Sequence, residues 1–172
     1  MFKVHGGSGD LAVEKKFKNV AVGGTFDEFH KGHRALILKA FEVGKQVLVG
    51  LSVDVLVQKM EKPHKVATYD VRLEELKSFL RRRGLLERTE IVPLYDHYGV
   101  TLSSNELDAL VVSRDTESVA REINEKRRVK GLHPLSIIII DMVPAEDCVP
   151  ISTTRIRDME INHEGQLLKP QT

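Results

Sequence analysis

Cysteine and long apolar runs are nearly absent from this sequence. The single cysteine, Cys148, excludes an intramolecular disulfide framework and a cysteine-rich zinc site, as is usual in a reducing cytosol. No apolar run approaches the roughly 20 residues that a membrane-spanning helix needs. The first residues also lack the apolar block of a secretion signal. We therefore expect a cytoplasmic protein with no membrane partner.

Neither sign of charge is in excess, and aromatic residues are few. The 26 Lys and Arg residues nearly balance the 25 Asp and Glu residues, so the overall charge predicts no nucleic-acid partner. The basic run at residues 81–83 ends a predicted helix, where positive charge is favourable, and no aromatic platform for bases accompanies it. Tryptophan is absent and aromatic residues make up 5% of the chain. A residue that stacks on adenine therefore cannot be located by inspection.

Short apolar runs alternate with amphipathic segments along the chain. Strands are predicted at residues 19–24, 46–52, 89–94, 107–113 and 135–141. Helices are predicted at residues 32–44, 54–60, 69–84 and 117–130, and a last one follows the Ser/Thr cluster near residue 152. This alternation predicts an α/β fold, namely a Rossmann-like parallel five-stranded sheet with helices on both faces.

The chain of 172 residues has the length of a single domain. We assign residues 1–18 to an N-terminal extension, residues 19–165 to the domain and residues 166–172 to a C-terminal tail. The extension is open to two interpretations, a flexible segment or an additional edge strand. No internal repeat or interdomain linker is evident.

The stretch VGGTFDEFHKGH, residues 22–33, joins the first predicted strand to the first predicted helix. Ligands of parallel sheets bind at the carboxyl ends of the strands. Gly23 and Gly24 allow backbone conformations closed to other residues and the close approach of a ligand. Thr25 adds a hydroxyl donor beside them.

The start of the first predicted helix adds further donors to this stretch. A helix that begins near Lys31 offers unpaired N–H groups, which favour an anion. His30 and His33 lie one helical turn apart, so both imidazole rings can face the same point. No neighbouring Cys or further His completes a metal-binding set, and we predict no metal site. The combination predicts a phosphate site, although a simple turn is the alternative.

Two motifs resemble signatures of a known superfamily. GGTFDEFHKGH resembles the T/HxGH signature of the nucleotidyltransferases that transfer nucleoside monophosphate groups from nucleoside triphosphates. ISTTRIR, residues 151–157, resembles their second signature and follows the fifth predicted strand. The segments at 93–99 and 109–116 are similar to phosphopantetheine adenylyltransferases of the archaeal and eukaryotic type. This resemblance implies transfer of AMP from ATP to 4'-phosphopantetheine, which gives dephospho-coenzyme A and pyrophosphate in coenzyme A biosynthesis.

The resemblance also implies roles for single residues. Thr25 would orient the acceptor phosphate, His33 would stabilise charge on the α-phosphate, and His30 would contact the triphosphate. Among Lys59, Lys62 and Lys65 we favour Lys59 as the catalytic and substrate-binding lysine, and a solvated basic loop is the alternative.

The predicted ATP site combines both signatures with the end of the fourth strand. Arg114 would contact phosphates or the pantetheine arm, Arg157 would supply charge, and Ser152 would also cap the last helix. Asp27 is expected to hold its loop by hydrogen bonds, and Arg72 is open between a surface and a binding role. Mg²⁺ is expected on the ATP phosphates, held mainly by nucleotide and water. The full ATP-binding set is Gly23, Gly24, Thr25, Phe26, His30, His33, Arg114, Ile151, Ser152, Thr153 and Arg157.

Other readings stay open at this point. Related nucleotidyltransferases, such as a nicotinamide mononucleotide adenylyltransferase, an FAD synthase or a glycerol-3-phosphate cytidylyltransferase, share the two signatures. A noncatalytic nucleotide-binding protein is the alternative outside enzymes. The sequence does not indicate the oligomeric state.

Overall fold

A computed structural model describes residues 14–169 of the chain. Its strands are β1 (Phe17–Gly24), β2 (Gly44–Ser52), β3 (Thr89–Leu94), β4 (Ala109–Ser113) and β5 (Ser136–Ile140). Its α-helices are α1 (Lys31–Val43), α2 (Asp54–Lys59), α3 (Tyr69–Arg82), α4 (Glu117–Val129) and α5 (Thr153–Arg157). Short 3₁₀ helices lie at Leu86–Arg88, Gly99–Leu102 and Arg114–Thr116. None of the helices in this part of the chain is long and apolar enough to cross a membrane.

The five strands form one parallel sheet in the order β3-β2-β1-β4-β5. From β1 the chain proceeds outward through β2 to β3, and it then crosses back to β4 and β5 on the other side. The order therefore reverses between β1 and β4. In open sheets of this kind ligands bind at such a switch point, beyond the carboxyl ends of the strands. Gly24 and Ser113 are those ends here.

Alternating strand residues supply two separate cores. One face, with Val20, Val22 and Val49, packs against α1 and α3. The opposite face, with Ala21 and Leu110, packs against α4. Because successive side chains of a strand point to opposite faces, continuous apolar strands such as these need cover on both sides. The predicted fold class, with helices on both faces of a five-stranded parallel sheet, is confirmed.

The ends of the domain differ in detail from the predicted boundaries. β1 begins at Phe17, two residues before the predicted strand, so the last residues of the predicted extension belong to the sheet. At the other end, Leu167 pairs with Ile161 in an isolated antiparallel bridge. Residues 1–13 and 170–172, which include most of the predicted extension and the last residues of the tail, lie outside the described residues. The division into extension, domain and tail stays a prediction.

Helix α3 turns one unexpected side chain toward the core. The apolar spacing of this helix predicts that Val71 lies inward with Leu73, Leu76, Phe79 and Leu80, but Val71 is 50% exposed. Arg72 is fully buried instead, together with Leu76 and Leu80. These three residues follow the i, i+4, i+8 spacing of one helical face. An arginine therefore occupies a position at which the pattern predicts a hydrocarbon.

Candidate active site

A cavity of about 430 Å³ opens at the carboxyl ends of β1, β2 and β4. Its polar part comes from residues beyond the strand ends: Thr25, Asp27, His33, Lys62, His64 and Thr153. Its apolar part comes from the sheet, α4 and the segment before β4: Leu48, Val100, Leu110, Val112, Val119 and Ile123. We call these the polar end and the apolar end of the cavity. The cavity thus lies at the switch point of the sheet.

The N-terminus of α1 is capped by a histidine. His30 is the N-cap residue, and its Nδ1 accepts hydrogen bonds from the backbone N–H of Gly32 (3.1 Å) and of His33 (3.4 Å). The N–H of Lys31 donates to the carbonyl oxygen of His163 at 2.9 Å. The prediction that this helix offers unpaired N–H groups was therefore wrong, since a side chain and a distant carbonyl satisfy them. The N-terminus of α1 therefore offers no free N–H group to an anion.

The two signature histidines are held in a defined tautomer. The Nδ1 of His30 accepts from Gly32 and His33, and the Nδ1 of His33 accepts from the N–H of His30 at 3.4 Å. In a neutral imidazole the other nitrogen, Nε2, must then carry the proton. The two rings stack with centroids 3.7 Å apart. Each histidine therefore presents an Nε2–H donor.

Burial keeps both histidines uncharged. It lowers the pKa of His30 from 6.5 to about 4, and the nearby His163 and Arg34 act in the same direction. Burial also lowers the pKa of His33 well below its usual value, helped by His30 and Lys62. At neutral pH both rings are thus neutral hydrogen-bond donors. His33 lines the cavity, and the ring of His30 stacks on the ring of His33.

The loop after β1 is strained at non-glycine residues. Phe26 and Glu28 have positive φ angles of 51° and 49°, which side chains rarely adopt. Phe26 is buried and contacts the His33 ring edge-on, with centroids 5.4 Å apart. The strained loop thereby packs an aromatic ring against the catalytic candidate.

Gly23 and Gly24 act through space rather than through unusual backbone angles. Both belong to β1, and neither has a positive φ. A Cβ on Gly23 would lie 3.3 Å from Leu94 Cδ1, and one on Gly24 would lie 3.3 Å from the Phe26 ring. The expectation of special backbone conformations was wrong here. Only the need for close approach remains.

The second motif contacts the first directly. The Thr153 hydroxyl donates to the carbonyl oxygen of Asp27 at 3.1 Å, across 126 positions of sequence. Arg157 pairs with the Asp27 carboxylate at 3.0 Å and with Glu28 at 3.1 Å. Ser152 caps α5 by accepting from the N–H of Arg155 at 3.3 Å. The two motifs therefore meet at the polar end of the cavity.

Asp27 joins three segments at this point. It is 3% exposed, and Oδ1 accepts from the N–H of Ala67 at 3.0 Å while both oxygens accept from Arg157. The expected role of Asp27 in holding the loop is confirmed by these bonds. The guanidinium of Arg157 is therefore paired with the carboxylates of Asp27 and Glu28.

Ile151, the first residue of the second motif, is buried in a small core with Ile161.

Comparison with known proteins agrees with this geometry. The cytidylyltransferase-like family model matches residues 21–159. Phosphopantetheine adenylyltransferase of Methanothermobacter thermautotrophicus is 45% identical over 91% of this chain and 93% of its own length. The Methanopyrus kandleri enzyme of the same name is 44% identical over 83% of this chain and 90% of its own. The chain belongs to the phosphopantetheine adenylyltransferases of the cytidylyltransferase-like family. A solved structure of an Archaeoglobus fulgidus protein of unknown function is similar, with a TM-score of 0.65 and 30% identity, and the match covers 78% of this chain and 99% of that one.

The basic residues of this family member differ in their access to the cavity. Lys62 lines it, and its charge is one cause of the lowered His33 pKa. Lys59 is exposed near the end of α2 and is not among the lining residues. Arg114 follows β4 as predicted, but it is 65% exposed and its Nε donates to Asp141 at 2.7 Å, outside the lining. The structure thus places Lys62, rather than Lys59, at the polar end.

The sequence left Arg72 open between a surface and a binding role, and the structure gives it neither. Its buried guanidinium donates to the carbonyl oxygens of Thr25 (2.9 Å), Ser52 (2.8 Å) and Ala67 (2.8 Å), and to Asp54 Oδ1 (2.8 Å). These bonds tie the ends of β1 and β2 to the loop before α3. The sequence feature that indicates the burial of Arg72 is its position on the same face of the amphipathic helix α3 as Leu76 and Leu80. Arg72 therefore supports the polar end without lining it.

Proposed function

We propose that this chain transfers AMP from ATP to 4'-phosphopantetheine, with dephospho-coenzyme A and pyrophosphate as products. A phosphate oxygen of the acceptor attacks the α-phosphorus of ATP. The bond from that phosphorus to the bridging oxygen breaks, and pyrophosphate leaves with the electron pair. The observation that carries the proposal is the meeting of the two signature motifs at the cavity. The chain is also 45% identical to a phosphopantetheine adenylyltransferase.

The side chains of the polar end supply the catalytic groups. His33 would donate from Nε2 to an α-phosphate oxygen, on which charge grows in the transition state. Such a preorganised donor is typically worth roughly 100- to 1,000-fold in rate. Thr25, whose hydroxyl has only a weak contact with Met60 Sδ at 3.9 Å, is free to bind the acceptor phosphate. Lys62 would supply positive charge to the phosphates.

The apolar end of the cavity suits an uncharged part of a substrate. The cavity volume of about 430 Å³ falls within the range of roughly 300–1,000 Å³ typical of small-molecule sites. Aliphatic side chains from both the sheet and α4 line it. Binding there would hold the reacting phosphates against Thr25 and His33, as in-line transfer requires.

Magnesium fits this site as part of the nucleotide substrate. Within residues 14–169 no group of three or more His, Cys, Asp or Glu side chains could hold a metal ion. The Asp27 carboxylate, which lines the cavity, is already paired with Arg157. Mg²⁺ would be bound by triphosphate oxygens and water, which it prefers, and would lower the charge that Lys62 must balance.

Pyrophosphate release tests the proposed function. The protein is incubated with Mg²⁺ and each pairing of ATP or CTP with 4'-phosphopantetheine, nicotinamide mononucleotide, FMN or glycerol 3-phosphate. We expect release with ATP and 4'-phosphopantetheine alone, and none after chelation by EDTA. Release with another pairing would indicate a different branch of the superfamily. ATP binding without any release would indicate a noncatalytic protein.

A cytoplasmic location stays a prediction that rests on the lone Cys148 and the lack of long apolar runs. The lack of a nucleic-acid partner is likewise a prediction from composition. ATP and 4'-phosphopantetheine are the partners that the proposal requires.

A further inference from the structure

One histidine at the polar end of the cavity forms no hydrogen bond. His64 has a side chain that is 15% exposed, and its Nδ1 is buried without a partner. The carboxylate of Asp27 is close by, with its Oδ2 3.7 Å from His64 Nε2. That distance is too long for a hydrogen bond. Among the residues that the structure describes, the only other buried side-chain nitrogen without a partner is Arg127 Nη2.

A buried polar atom without a partner is costly. Leaving such a group unsatisfied destabilises the folded state, so folded proteins contain few of them. Asp27 does not relieve His64, because its carboxylate already accepts bonds from Arg157 and from the N–H of Ala67. The imidazole therefore keeps unused hydrogen-bonding capacity in the ligand-free protein.

The surroundings of His64 indicate what could use that capacity. It lies between α2 and α3, in a loop that also contributes Lys62 to the cavity lining. The far end of this loop is fixed, since the Ala67 carbonyl accepts from Arg72 and its N–H donates to Asp27. No hydrogen bond restrains the His64 ring itself. Turning the ring toward a ligand would therefore break no hydrogen bond to the protein.

We propose that His64 is a phosphate-binding residue of this site. An imidazole N–H of His64 would donate to a phosphate oxygen of a substrate beside Lys62 and Thr25. This inference rests on the proposed function, which brings two phosphate-bearing substrates to the same cavity. The phosphate of the acceptor and the phosphates of ATP offer the same chemistry, and the experiment distinguishes them.

Steady-state kinetics of His64→Ala, His64→Gln and a control test the proposal. A hydrogen bond to a charged group is worth about 1.5–3 kcal/mol, so we expect His64→Ala to raise the KM of one substrate by roughly 10- to 100-fold. The substrate whose KM rises carries the phosphate that His64 binds. His64→Gln should recover part of the loss, because its amide also donates. His133→Ala should leave both KM values unchanged, since this exposed histidine offers only its backbone carbonyl, to Arg127.

Two further measurements separate binding from a structural role and from failure of the proposed function. The melting temperature of His64→Gln should stay close to that of the wild type, because glutamine keeps much of the side-chain volume and no hydrogen bond within the protein is lost. Unchanged KM values for both substrates, or a lower melting temperature with no rescue by glutamine, would overturn the inference.

If the wild type releases no pyrophosphate, the proposed function is wrong, yet calorimetric titration with ATP and with 4'-phosphopantetheine still tests His64. Weaker binding by His64→Ala supports its role, and equal binding of both ligands overturns it.

Discussion

His30 and His33, the two histidines of the first motif, have different roles: His30 stabilises a helix end, and His33 faces the cavity. His30 uses its Nδ1 to close the N-terminus of α1, and His33 lines the cavity. The sequence indicated two imidazoles at one point, which the stacked rings confirm. It could not indicate that both are uncharged, because that depends on burial by residues distant in sequence. Among the residues that line the cavity, the positive charge at the polar end therefore comes from Lys62.

The buried histidines make the protein sensitive to acid. The pKa of His30 falls from 6.5 unfolded to about 4 folded, so between these pH values the unfolded chain binds a proton that the folded chain excludes. The contribution of His30 to the free energy of unfolding is therefore complete above pH 6.5, and it is lost progressively as the pH falls toward 4. The loss from His30 is on the order of 3 kcal/mol, and His33 adds to it in the same direction. Urea unfolding at a series of pH values measures this slope.

His30→Asn is the matched variant for that measurement. Asparagine is a favoured N-cap residue, so it keeps an acceptor for the first turn of α1 and removes the titrating ring. We expect similar stability at pH 7.5 and a shallower decline in acid. An unchanged acid slope would show that His30 does not cause it.

Lys62 and Lys59 provide a second comparison at the scale of residues. Lys62 lines the cavity and Lys59, three positions earlier, is exposed outside it. We expect Lys62→Ala to lower kcat/KM at least tenfold more than Lys59→Ala does, since a charge-assisted bond to phosphate is lost. Pyrophosphate release measures both. A larger loss in Lys59→Ala would restore the lysine that the sequence favoured.

At the scale of elements, apolar periodicity predicted nearly every strand and helix. Continuous runs such as LSIIIID form parallel strands, and Gly44 and Gly131 follow the ends of α1 and α4. The predicted inward position of Val71 in α3 was wrong, because Arg72 is buried and Val71 is exposed. Its burial depends on three carbonyl groups from other segments, and no local pattern encodes them.

Removing Arg72 should destabilise the polar end of the cavity. Arg72→Met keeps the length of the side chain but leaves the carbonyl groups of Thr25, Ser52 and Ala67 without this donor. We expect a loss of about 3 kcal/mol or more in the free energy of unfolding. Arg81→Met in the same helix, where the side chain is 59% exposed, should change it by less than about 0.5 kcal/mol. Equal effects in urea unfolding would contradict the role of Arg72.

At the scale of the whole molecule, strand order brings the two motifs together. Segments that follow β1 and β5 must emerge at the same edge of a parallel sheet, so their proximity could be predicted. The contacts themselves, from Thr153 and Arg157 to Asp27, could not, because they depend on how the segment after β5 returns across the sheet. The site is thus a product of topology, with local chemistry supplied by each motif.

The most direct test is a crystal structure with Mg²⁺ and an ATP analogue whose bond between the α- and β-phosphates cannot be cleaved. We predict an α-phosphate oxygen within about 3 Å of His33 Nε2, with the triphosphate at the polar end of the cavity between Thr25 and the second motif. A nucleotide bound elsewhere, or at the cavity with its triphosphate turned away from both motifs, would contradict the account.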